Sequence, residues 1–173
     1  MKRIVLTLIM CLLGLLGTKA QETKIITINK DGNNDENKEI TNTSYFPYSY
    51  WYNPYSVTQM IYVESQFKDA AGTVNAPVGK ISDIAFVMGT DSYGDNNAAN
   101  ETRKWRVYIK TDATRSTFDS TKDWENLDAT DLCFTGEVTL PASGDVVIKL
   151  NKNIPYKGGN IVVCVCEDNP TST

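Results

Sequence analysis

The feature that most constrains the fold of this chain is a polar–apolar alternation with a period of two residues. In the segment 103–111 the side chains divide into an apolar and a polar or amphipathic set: Trp105, Val107 and Ile109 against Arg106, Tyr108 and Lys110. Successive side chains of a β-strand point to opposite faces, so this pattern predicts a strand with one buried face. Helical stripes are not evident, and turn residues recur at the spacing of a sandwich. We therefore predict an all-β fold, a two-sheet antiparallel β-sandwich that is jelly-roll-like.

Further alternating or apolar segments supply the other strands of the predicted sandwich. Short strands are predicted at 24–28, 57–67 and 81–88, and 161–166 is apolar on both faces, which predicts a strand in the middle of a sheet. The segments 134–140 and 146–150 flank the turn at 141–144 and predict a hairpin. The long polar stretch 111–131 is predicted to be a loop held to the body by Phe118 and Trp124.

The N-terminus has the three parts of a secretory signal peptide. Lys2 and Arg3 precede an apolar run at 4–16, and small residues lead to Ala20. The run is shorter than the roughly 20 residues that span a bilayer, which disfavours a retained anchor and membrane insertion of the mature chain. We predict cleavage after Ala20, a single domain over 21–173, and a secreted or outer-surface location. Because the chain stops directly after a predicted central strand, we expect the domain to be truncated at its C-terminus.

Charge and the missing histidine exclude several function classes. The chain has 21 acidic and 17 basic residues, and the predicted cleavage removes Lys2, Arg3 and Lys19, so the mature chain should repel nucleic acids and anionic lipids. The absence of histidine removes Ser-His-Asp and Cys-His nucleophilic sites and most catalytic zinc sites. Paired carboxylates remain possible in principle. We expect this fragment to be non-catalytic, which leaves open whether a full-length protein is an enzyme.

Three cysteines follow the predicted signal peptide, at Cys133, Cys164 and Cys166. On a strand, Cys164 and Cys166 share a face, a geometry unsuited to a bond between them. A disulfide from Cys133 to one of the other two, such as Cys164, is one possibility. Three buried thiols acting as small hydrophobic side chains are equally compatible with the sequence.

An aromatic segment at 45–55 is the pattern most suggestive of ligand binding. Its rings include Tyr50, Trp51 and Tyr52, our candidate ligand-binding residues. Flat amphipathic rings suit stacking on sugars or docking to a protein. The alternative interpretation is packing, since aromatic residues also build sandwich cores and close sheet ends.

A candidate calcium loop lies at Asp31, Asn33 and Asp35. Oxygen ligands at alternate positions can converge on one cation. The pattern then departs from a calcium loop, because Glu36 stands where glycine is required and Asn42 where a bidentate glutamate belongs. Ordinary turn chemistry therefore remains the main alternative to bound Ca²⁺.

Several segments together resemble a known group of proteins. They are found at 45–52, 59–62, 79–86, 102–108, 116–118, 123–124, 134–141 and 158–163. In these segments the chain is similar to the N-terminal β-sandwich modules of secreted and surface multidomain proteins of Bacteroidota. The resemblance implies an adhesin-like role in recognising host or glycan surfaces, with further domains downstream in the same polypeptide, and it supplies no catalytic motif.

These observations lead to three hypotheses about function. The first is a non-catalytic extracellular recognition or adhesion module that binds a glycan or a surface protein. The second is an accessory domain of a secreted hydrolase or peptidase whose catalytic part lies downstream. The third is a structural spacer.

Overall fold

The structure, a computed structural model, describes residues 27–28, 55–68, 78–88, 102–120, 123–141 and 144–168. These residues form eight strands: β1 (Thr27–Ile28), β2 (Tyr55–Tyr62), β3 (Phe67–Lys68), β4 (Gly79–Met88), β5 (Thr102–Ala113), β6 (Leu132–Thr139), β7 (Gly144–Tyr156) and β8 (Asn160–Asp168). One turn of 3-10 helix, Glu64–Gln66, separates β2 from β3. The predicted signal peptide at 1–20 lies outside the described residues.

Two antiparallel sheets carry the fold. Sheet I has the order β2-β8-β5-β6, and sheet II pairs β4 with β7. The short strands β1 and β3 form a separate antiparallel pair. The predicted all-β, two-sheet antiparallel sandwich is therefore confirmed.

The strand order follows the jelly-roll pattern. In an eight-stranded jelly roll, the first, eighth, third and sixth strands form one sheet, and the second and seventh are neighbours in the other. With β2 as the first strand, sheet I reproduces that order, and β4 and β7 form the second-to-seventh pair. The β5–β6 loop, residues 114–131, connects the third strand to the sixth and so replaces the fourth and fifth strands.

The core lies between the two sheets and is built from the alternating faces that the sequence shows. Trp105, Val107 and Ile109 of β5 are almost completely buried, as are Val146 and Ile148 of β7. Burying a large apolar side chain stabilises a fold by roughly 1.5–3 kcal/mol. The alternation in β5 therefore gives this strand one apolar face, and that face packs against sheet II.

Strand β8 is the central strand that its sequence predicted. It pairs with β2 on one side and with β5 on the other. Val163 and Val165 face the core, while Val162 and Cys164 are buried on the opposite side of the sheet. Burial on both faces explains why the segment has no polar alternation.

The predicted hairpin of β6 and β7 is wrong. β6 pairs with β5 in sheet I, whereas β7 pairs with β4 in sheet II. The apolar residues of both strands, among them Val138 and Ile148, meet in one core cluster. Strands in facing sheets pack such side chains against each other across the core, whereas neighbouring strands of a hairpin would place them next to each other on one face of a single sheet. The chain crosses back to sheet I through Gly158 and Gly159, which have φ of 104° and 93°, a backbone region that favours glycine.

A buried ion pair lies at the end of the core where β5 begins and β8 ends. Arg103 Nη1 donates to Glu167 Oε1 at 2.6 Å, with side-chain exposures of 4% and 0%. Ser56 Oγ of β2 donates to the other carboxylate oxygen at 3.2 Å. Both charged residues occupy core-facing positions, so the alternation extends to the sheet end with ions in place of apolar side chains.

Candidate functional site

A cleft lies on the outer face of sheet I, the side turned away from sheet II. A row of residues in register across all four strands forms its floor: Gln59 on β2, Cys164 on β8, Tyr108 on β5 and Leu132 on β6. Residues 125–129 of the β5–β6 loop form its wall, and the cavity volume is about 440 Å³. Sheet register, rather than closeness in sequence, assembles this cleft.

The wall is fastened to the sheet through Glu125. Gln59 Nε2 donates to the Glu125 carbonyl oxygen at 3.0 Å, and the Glu125 amide donates to Gln59 Oε1 at 2.8 Å. This reciprocal pair uses both ends of the Gln59 amide group. The Gln59 side chain therefore holds the backbone of the loop over the outer face of sheet I.

The side chain of Glu125 lies between two cations. Lys110 Nζ approaches Glu125 Oε1 at 2.7 Å, and Arg115 Nε approaches Oε2 at 2.9 Å. The hydrogen bond with Glu125 raises the pKa of Lys110. All three side chains are partly shielded from solvent, so this network is screened less than a fully exposed pair.

A second contact of Arg115 shapes the start of the wall. Its guanidinium group pairs with the Asp123 carboxylate at 3.1 Å and lies 5.8 Å from the centroid of the Phe118 ring. The Asp119 amide donates to Asp123 Oδ2 at 3.0 Å, and this bond, followed by the bond from Arg115, lowers the pKa of Asp123.

The two aromatic residues expected to hold this loop differ in their exposure. Phe118 is half-buried, but Trp124 is 46% exposed. Charged and amide groups contribute to the contact of the loop with the sheet, through the bonds of Glu125 with Gln59 and Lys110. Sequence reasoning missed this because Glu125 and its partners are separated along the chain and resemble ordinary surface residues.

The far end of the wall is a compact turn closed by Asp128. The Thr130 amide and hydroxyl both donate to Asp128 Oδ1 at 2.6 Å, and these bonds lower the pKa of Asp128. The Asp131 carbonyl accepts a bond from the Ile109 amide at 2.9 Å. The turn is thus linked to β5 before β6 begins.

Beyond the loop, the outer face of sheet I carries exposed apolar side chains. Tyr55 and Val57, on the same side of β2 as Gln59, are 62% and 54% exposed. Val57 is followed across the sheet by a thiol and a charged residue: its partner on β8 is Cys166, and the partner of Cys166 on β5 is Arg106. A second hollow of about 250 Å³, whose lining includes Lys104 and Arg106, continues this face toward β6.

The three cysteines of the domain are free thiols, and the possible Cys133–Cys164 disulfide is not formed. Cys133 is the extra residue of a β-bulge opposite Val107 and Tyr108, and it points into the core, where its thiol donates to the Val107 carbonyl at 3.2 Å. Burial raises its pKa to about 11. Cys164 lies on the outer face, so the sheet itself separates the two sulfur atoms.

The other sequence-predicted site residues lie outside the part of the chain that the structure describes. They are the aromatic candidates Tyr50, Trp51 and Tyr52 and the calcium candidates Asp31, Asn33 and Asp35. Among the described residues, no group of three or more His, Cys, Asp or Glu side chains is arranged to hold a metal ion. The same residues contain no helix with the length and apolar character of a membrane span.

Sequence reasoning missed Gln59, Tyr108 and Glu125 as site residues. The only available signal was the position of Tyr108, a large aromatic residue that shares the polar face of its strand with Arg106 and Lys110. The register that joins these residues depends on pairing across three strands.

Comparisons with known protein families, curated proteins and solved structures find no match.

Proposed function

We propose that this domain is a non-catalytic extracellular recognition module that binds a glycan through the outer face of sheet I. The observation that carries the proposal is the cleft, in which the Tyr108 ring and the amide and carboxylate groups of the wall meet. An aromatic ring offers a face for the C–H surface of a sugar, and amide and carboxylate groups bond hydroxyls.

The shape of the outer face supports an extended ligand. The cleft opens onto the level of Tyr55 and Val57, which present apolar surface beside the charged side chains of Lys104 and Arg106. A chain of sugar residues could occupy the cleft with one unit and cross the open face with the next. Export through the predicted signal peptide fits a ligand outside the cell.

The test is a glycan array with the purified chain, followed by calorimetric titration of each glycan that binds. Replacing Tyr108 by alanine should weaken binding about tenfold, since an aromatic contact contributes roughly 0.5–1.5 kcal/mol beyond its buried area. Val147→Ala is the matched control, because Val147 is exposed on sheet II and lies away from the cleft. Circular dichroism confirms that each variant is folded.

Two results would contradict this assignment in different ways. If Trp51→Ala abolishes binding and Tyr108→Ala does not, the aromatic segment is the binding site and the cleft is not. If the chain binds a purified surface or matrix protein but no glycan, the ligand class is wrong.

A further inference from the structure

Two thiols of the central strand lie together beside the cleft. Cys164 and Cys166 occupy alternate positions of β8, so both side chains point to the outer face of sheet I, and their Sγ atoms are 3.9 Å apart. Cys164 is buried and Cys166 is partly exposed. Both residues line the cavity, which gives solutes a route to the pair.

The surroundings of the pair favour a negative charge. Arg106 of β5 is the direct cross-strand partner of Cys166. The hydrogen bond shared with Cys164 lowers the pKa of Cys166 to about 7, helped by Arg106, and the same bond raises that of Cys164.

The spacing of the sulfur atoms suits a bridging metal ion. Two sulfur atoms 3.9 Å apart can both reach one ion at a metal–sulfur distance of roughly 2.3 Å. A small rotation of either side chain moves the sulfurs apart toward the near-linear S–Cu–S arrangement of a two-coordinate Cu(I) ion. Thiolates are soft ligands that select soft ions such as Cu(I), which is satisfied by two of them. A Cu(I) ion with two thiolates has one net negative charge, which the guanidinium group of Arg106 balances.

We propose that Cys164 and Cys166 chelate one soft, thiophilic cation, Cu(I), at the edge of the cleft. Two Cu–S bonds form as Cu(I) leaves the ligands that carried it in solution, and the protons that the two thiols carry leave to solvent, with no change in the oxidation state of copper or sulfur. This site is independent of glycan binding, although it shares the outer face of sheet I.

The experiment is an anaerobic titration of the reduced full chain with Cu(I), in competition with a chromophoric Cu(I) chelator. Cys11 is replaced by serine throughout, so that only Cys133, Cys164 and Cys166 remain. We expect one Cu(I) per chain and two sulfur ligands by X-ray absorption spectroscopy. Cys166→Ser and Cys164→Ser should each weaken binding by more than the roughly 100-fold that loss of an outer-shell contact costs. Arg106→Gln should weaken it by about tenfold.

Cys133→Ala is the matched control, since its thiol lies on the other side of the sheet and its loss should leave Cu(I) affinity unchanged. Because Cys164 is buried, Cys166→Ala provides a second variant at the more exposed position, and each variant is checked by circular dichroism.

Unchanged Cu(I) affinity in a folded Cys166 variant would overturn the proposal. Preferential binding of Zn²⁺ over Cu(I) would overturn its choice of ion. Loss of Cu(I) binding in folded Cys133→Ala would show that the pair is not the site.

Discussion

The buried pair of Arg103 and Glu167 gives the sharpest prediction about stability. Replacing Glu167 by glutamine keeps the shape of the side chain but removes the negative charge that lies 2.6 Å from Arg103, in a site where the two side chains are 4% and 0% exposed. Removing one partner of a buried pair costs about 3–5 kcal/mol. The retained acceptor oxygen of glutamine places the expected loss near the lower end, at about 3 kcal/mol.

This loss is a large share of the stability of a single domain, which is roughly 5–15 kcal/mol. In a domain of this size it corresponds to a fall in Tm of about 6–12 °C. The measurement is urea unfolding followed by tryptophan fluorescence, with a calorimetric scan for Tm. Glu137→Gln makes the same chemical change at an exposed position of β6 and should stay within about 0.5 kcal/mol of the parent chain.

A double variant separates the loss of the pair from the cost of keeping one of its two charges buried. Arg103→Met with Glu167→Leu removes both ions, and apolar replacement of a buried pair is often neutral or stabilising. We therefore expect the double variant to be more stable than Glu167→Gln. A cost below about 1 kcal/mol for Glu167→Gln would refute the argument, because only a well-hydrated pair behaves in that way.

Two further predictions concern the attachment of the β5–β6 loop. Because the folded state lowers the pKa of Asp123, its contribution to stability is present above the ordinary value of 3.8 and is lost as the pH falls below it. The difference in unfolding free energy between the parent chain and Asp123→Asn should therefore shrink at acid pH, and a difference that does not change with pH would contradict this assignment. Gln59→Ala removes both bonds to the Glu125 backbone, each contributing about 1 kcal/mol, so amide hydrogen exchange in residues 123–131 should rise tenfold or more. Exchange in β8 should be unchanged in this variant, and exchange in the loop should be unchanged in the control variant Val57→Ala. Equal acceleration of exchange in the loop and in the core would show instead that Gln59 supports the whole fold.

The strands were predictable wherever burial acts on a local pattern. In β5 one face meets the core, so Trp105 and Val107 alternate with polar residues, and in β8 both faces are covered, so the alternation disappears. The partnership of β6 and β7 was not predictable in this way. Their apolar faces are the same whether the strands lie side by side or in opposite sheets, and the choice depends on β4 and β5, which pair with them.

The cleft shows the same limit more strongly. Gln59, Tyr108 and Cys164 are far apart in sequence, and only the register of three paired strands places them in one row. The wall depends on Glu125 meeting Lys110 and Arg115, and charged residues of this kind usually indicate only a solvated surface.

Local sequence patterns are enough to predict that this chain forms β-strands, which faces of them are buried and that β8 is central, because side-chain alternation is a local property of the backbone. Tertiary contacts are needed to establish which strands share a sheet, how the β5–β6 loop closes the cleft, and why Cys133 is separated from Cys164 while Cys166 lies beside it. A bulge in β6 turns Cys133 toward the core, and the two-residue period of β8 keeps Cys164 and Cys166 on the outer face. These outcomes depend on long-range pairing, in which each strand's register is set by a partner distant in the sequence.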